Sequence, residues 1–150
     1  MKPVVAVVTA LAVVGAFSAT VWAQSADRQI KYRQAVMTAQ GYHFYGILGG
    51  MAKGSRPYDK DAAVRSAKLV NELIEMPWDG FAPGSETGAK TQAKPEIWKE
   101  RAEFDRLAKE AKVETEKLAA AAGVDLATLR TQVQATGRAC KACHDKFQNE

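Results

Sequence analysis

Four stretches of this chain repeat apolar side chains every three or four residues, each long enough for a helix of several turns. That pattern leaves few folds open, because a helix with one apolar stripe must bury it against another. In the first stretch, about residues 27–52, Ile30, Met37, Phe44 and Met51 fall at steps of seven, with Gly41 and Leu48 between them. Gly54-Ser55-Arg56-Pro57 ends it. Asp59 is placed to cap a second helix over 60–75, whose inner face uses Ala63, Ala67, Val70 and Ile74, with Leu69 and Leu73 flanking. Pro77 stops that helix. Pro95 suits the first turn of a third, where the amide hydrogen it lacks is not needed. There Ile97, Phe104, Ala111 and Leu118 repeat every seven residues until Gly123. Asp125 caps the fourth, in which Leu126, Leu129, Val133, Thr136, Cys140, Cys143 and Phe147 alternate steps of three and four. No window alternates like a strand.

The expected fold is therefore all-α, an antiparallel four-helix bundle with one long loop between helices 2 and 3. That loop, residues 77–94, holds Gly80, Pro83, Gly84 and Gly88 and has no period. Loops so long are uncommon in small domains and often functional. Trp78 and Phe81 give it apolar side chains to pack downward.

With 150 residues, the chain has room for one ordinary domain. Its start is of another kind. Met1-Lys2 is followed by an apolar run from Val4 to Ala16, and Val21-Trp22-Ala23 puts small residues where a signal peptidase reads. This order predicts a cleaved secretory signal peptide over residues 1–23 and a mature domain over 24–150. The run is shorter than the roughly 20 residues a spanning helix needs, so no stable membrane insertion is expected after cleavage. The full chain carries +4, and losing Lys2 with the signal leaves +3. So small an excess, spread along every helix, argues against a nucleic-acid partner.

The chain has two cysteines, both near its C-terminus. A disulfide between them would close a very short loop and restrain the unfolded chain little. Cys140-Lys141-Ala142-Cys143-His144 is instead the C-x-x-C-H signature of c-type haem attachment. Residues three apart share a helix face, so both thiols can reach the two vinyl groups on one porphyrin edge. His144, next along, can place a ring nitrogen on iron. A zinc site usually needs four ligands, and the one other histidine is His43. A thioredoxin-like pair would want a βαβ context, and none is legible.

With this motif on the last helix of an exported bundle, the chain resembles the cytochrome c' family. Lys31-Tyr32-Arg33-Gln34, Pro77-Trp78 with Phe81, Pro95-Glu96-Ile97-Trp98 and the segment from Cys140 to Phe147 carry the resemblance, which spans Gln24 to Glu150. It implies a periplasmic, commonly homodimeric protein with one covalent haem c, high-spin and five-coordinate, His144 on the more exposed side and an apolar pocket opposite. It also implies binding of nitric oxide and carbon monoxide, an unidentified redox partner, and no enzymatic role. Arg33 and Gln34 would approach the haem edge and its propionates, and Thr91 would make a polar contact there. Met37 falls where the family has its distal residue, and Phe81 would line the same pocket. One departure is Gln148, where the family usually has a basic residue.

Two functions stay open at this stage. One is a gas-binding haem protein with an open distal side, and the other is a six-coordinate, low-spin electron carrier with the Met37 thioether as sixth ligand. A peroxidase-like role would need a distal acid–base group, for which His43 is the candidate nearest the seam. Tyr42, Tyr45 and Ile47 lie beside the first seam and suggest a two-fold interface.

Overall fold

The computed structural model describes residues 25–149; the expected signal peptide lies outside them. Helix α1 covers residues 25–53, α-helical to residue 41, π-helical over Tyr42–Leu48 and α-helical again over Gly49–Lys53. Gly54 ends it in the left-handed region, φ 80°, where a residue with a side chain would be strained. Helix α2 is Lys60–Leu73 and begins as expected, with the Asp59 carboxylate accepting from the Ala62 amide at 2.9 Å. Helix α3 is Arg101–Ala121 and α4 is Leu126–Phe147, the latter capped by Asp125, which accepts from the Thr128 amide at 2.7 Å.

The links at 54–59 and 122–125 are short, so α1 with α2, and α3 with α4, run antiparallel. Helix α2 packs on α1 and α3, and α4 packs on α3 and α1, which closes a four-helix bundle.

Three details differ from the expectation. The third helix does not run unbroken from Pro95. A single turn, Glu96–Lys99, precedes α3, and Glu100 between them leaves helical geometry at φ −111°, ψ 44°. The break lets the turn be tied to the long loop, with the Trp98 indole donating to the Ala82 carbonyl (3.2 Å) and Arg101 to the Phe81 carbonyl (3.1 Å). The loop itself opens with a 3₁₀ turn over Pro77–Phe81. Its far end lies against the C-terminus, where Lys94 donates to the Phe147 carbonyl (2.9 Å) and Asn149 to that of Gln92 (2.8 Å). Finally, Ile47 packs against the core rather than facing outward.

Buried apolar residues form two separate clusters. At the end with the short links, Phe44, Leu48, Met51, Val70, Leu118 and Leu129 pack together. At the loop end, Phe81, Ile97, Phe104, Leu107, Cys143 and Phe147 do so. The rings of Phe81, Phe104 and Phe147 meet edge to face, with centroids 5.0 and 5.4 Å apart, a favoured aromatic geometry. Between the clusters the bundle is open.

Candidate functional site

That opening is a cavity of about 600 Å³, within the roughly 300–1,000 Å³ typical of cofactor pockets. Both clusters supply its walls, Phe44 and Val70 from one and Phe81, Ile97, Phe104 and Phe147 from the other. Cys140, Cys143 and His144 line it from α4, and Met37 lines it from α1.

The α4 residues reach the cavity by helical arithmetic. Cys140 and Cys143 are three apart on the apolar seam, half-buried and buried respectively, and neither is in a disulfide. Burial pushes both thiols up, Cys143 to about 11, so neither is a ready thiolate for disulfide exchange. His144, one residue further round, is exposed but reaches the cavity rim. Desolvation there lowers its pKa below the usual value, against an opposing pull from Asp145. A neutral imidazole is the form that ligates metal.

Polar groups gather toward the loop. Arg33 is only 2% exposed, yet its guanidinium is well satisfied. Nη1 donates to the Gly80 carbonyl (2.5 Å), the Ser85 carbonyl (3.1 Å) and Ser85 Oγ (3.0 Å), and Nη2 donates to Thr91 Oγ1 (3.2 Å). Its cationic carbon lies 4.5 Å from the Phe81 ring centroid. Burial pulls the Arg33 pKa down, with Glu86 partly offsetting. Gln34 is more exposed, and its Nε2 donates to the Lys90 carbonyl (2.9 Å). Arg33, Gln34 and Thr91 all line the cavity, so the structure brings the three together. They also fasten the long loop to α1.

Gly80 makes this closeness possible. A Cβ there would fall 2.8 Å from Arg33 Cβ and 2.9 Å from the Gln29 carbonyl oxygen. Any side chain would force the loop off the helix.

His43 is not on the cavity wall; its ring lies 3.4 Å from Ser66 Oγ, on the α2 side. At the other end of the motif Gln148 takes no charge to the rim. Its amide donates to Gln92 Oε1 (2.9 Å), and neighbouring Lys146 pairs with Glu100 (2.5 Å). Ser85 and Gln40 were not singled out in the sequence. Ser85 is fully buried beneath Arg33, and nothing local to it marks that role. Gln40 also lines the cavity, and its signal was present, since it stands seven residues after Arg33 and three after Met37.

The residues fit a flat, mostly apolar group with anionic substituents at one edge. Thiols stand at one wall, an imidazole lies beside them, and a guanidinium and amides gather near the loop. A helical bundle whose core is divided by such a space, with C-x-x-C-H on its wall, defines the class of bundle cytochromes with covalent haem.

Comparison with known proteins places the chain within that class. The sequence profile described as Cytochrome C' matches residues 28–148, and the chain belongs to the cytochrome c' family. It is a haem c protein. The cytochrome c' of Rubrivivax gelatinosus is 38% identical over 122 residues, covering 81% of this chain and 94% of that one. Its crystal structure gives a TM-score of 0.77. Cytochrome c prime from Shewanella frigidimarina gives 0.79 at 33% identity, covering 83% of this chain and 97% of the other. A nitric oxide complex of a variant cytochrome c prime from Alcaligenes xylosoxidans gives 0.76 at 35% identity, covering 83% and 97%.

Proposed function

We propose that the cavity seats a five-coordinate haem c whose free side is open to nitric oxide and carbon monoxide, and that the protein is a periplasmic gas-binding and electron-transfer carrier, not an enzyme. Once attached, the haem supplies a redox-active iron that can take a diatomic ligand. The residues do the rest. Cys140 and Cys143 would hold the porphyrin edge through thioether bonds, and His144 would give its lone pair to the iron. Arg33, Gln34 and Thr91 would face the propionates, where a guanidinium favours carboxylates.

The observation that carries the open-site reading is the composition of the α1 wall. Beside Met37 it presents Gln40, Gly41 and Phe44, and His43 is turned toward Ser66. Met37 is half-buried there, a flexible thioether against the cavity. A gas entering on this side displaces Met37 and loses its packing contacts.

The export signal read in residues 1–23 supports a periplasmic location, and no helix among the described residues is long and apolar enough to cross a membrane. Tyr42 and Tyr45, 63% and 58% exposed on one side of α1, support a homodimer through that helix. The nitric oxide complex of the Alcaligenes relative supports gas binding here.

The test is Met37→Ala. With a five-coordinate resting iron, the truncation speeds and tightens carbon monoxide binding and leaves the iron high-spin. If Met37 is instead the sixth ligand, the wild type is low-spin and the variant turns high-spin before any gas is added. A high-spin wild type whose variant binds carbon monoxide no faster removes Met37 as the gate, and Phe81 becomes the residue to examine.

A further inference from the structure

We propose that Gln40 is a hydrogen-bond donor to the diatomic guest of the cavity, an inference that rests on the open-site reading above. Gln40 follows Met37 by three residues, so the two share a face of α1, and both line the cavity. The side chain is only 8% exposed, and its Nε2 is sealed from solvent without a hydrogen-bond partner. A buried amide left so is destabilising. Met37 and Phe44, within one turn of it on the α1 wall, are apolar, and Nε2 has no partner among the described residues.

The propionate end does not account for it. Arg33 and Thr91 gather there, and Gln40 lies seven residues, roughly 10 Å, further along α1. One turn from Met37 on the same helix face, Gln40 instead borders the space that a displaced thioether would open to a small molecule. As placed, Nε2 is turned into the protein and away from the cavity; the two ends of a terminal amide exchange by a half-turn with no change in shape, and that half-turn brings the N–H group to the guest. A diatomic gas that draws electron density from a ferrous centre accepts such a hydrogen bond more readily than the free gas.

The test compares the ferrous carbon monoxide adduct of the wild-type holoprotein with those of Gln40→Met and Gln40→Leu. Infrared absorption reads the C–O stretch, and a displacement assay reads the dissociation rate. Loss of the donor raises the stretching frequency in both variants. It also speeds dissociation roughly threefold to tenfold, the worth of one net hydrogen bond. Without gas, the variants melt at a higher temperature than wild type, because the stranded amide is gone. Gln40→Met keeps side-chain length and volume, so it reports on the hydrogen bond even if Gln40→Leu packs poorly. Gas bound in all three proteins with the same stretch and the same dissociation rate overturns the role of Gln40 and leaves the open site standing. A wild-type ferrous protein that takes up no carbon monoxide overturns both.

Discussion

Arg33 shows what a single side chain contributes here. It is charged, buried and bonded to three residues of the long loop, Gly80, Ser85 and Thr91. Arg33→Met keeps the bulk and removes every one of those bonds; the Gly80 carbonyl still accepts from Ser85 Oγ (3.1 Å), but the Ser85 carbonyl is stranded, at about 1–3 kcal/mol. Denaturant unfolding of the holoprotein should show that loss, and Arg33→Lys should recover little, because an ammonium cannot span all three partners. The chemistry of Cys140, Cys143 and His144 was legible in the sequence because the motif is local, fixed by helix geometry over five residues. The partners of Arg33 lie 47 to 58 residues away, and no periodicity encodes them. Asp125 offers a pH test at the same scale. The Thr128 amide holds its carboxyl below the usual value, so this stabilisation is full above the unfolded pKa of about 3.9 and is lost as pH falls through the folded one. Asp125→Asn, which keeps the cap without the charge, should flatten that part of the acid limb of a stability–pH curve.

At the scale of elements, caps and stops are legible in the sequence to within a residue or two, while interruptions are not. Asp59, Asp125, Gly54 and Pro77 act on their own backbone and so announce themselves. Asp59→Ala should cost about 1 kcal/mol in thermal or denaturant unfolding, the usual worth of an N-cap. The π turn over Tyr42–Leu48 keeps the apolar spacing of a helix, and only its glycines, Gly41, Gly46, Gly49 and Gly50, hint at it. Two of them leave room for close packing: a Cβ on Gly49 would fall 3.3 Å from the Phe44 carbonyl oxygen, and one on Gly50 would meet the Arg56 side chain at 3.0 Å. π turns occur often at functional sites, and Phe44 and Tyr45, both on this one, line the cavity. The break at Glu100 was equally hidden, since Ile97 and Phe104 stay seven apart whether or not the helix is continuous. The loop's irregularity was plain, but its anchoring at Gly80 was not. Gly80→Ala should push the loop away from α1 and loosen the Arg33 contacts, which protease sensitivity within residues 82–94 would register.

The whole molecule is built around a space it does not fill with its own side chains. At about 24 cal/mol per Å³, a dry void of 600 Å³ would cost on the order of 14 kcal/mol. That equals the entire net stability of an ordinary domain, roughly 5–15 kcal/mol. The cavity is partly open, with exposed residues such as Gln34, Tyr45 and His144 in its lining, so water relieves part of this, yet the bundle is incomplete without its guest. The double variant Cys140→Ala/Cys143→Ala, produced without haem, should keep far-UV helical signal and lose near-UV order, as a loosely packed bundle does. Undiminished near-UV order in that variant would contradict the divided core. A haem c left open on the Met37 side would be read most directly from the visible absorption spectrum of the ferrous holoprotein without added gas. A broad, unresolved high-spin spectrum that changes on adding carbon monoxide is the predicted result, and sharp, resolved low-spin bands unmoved by the gas would contradict it.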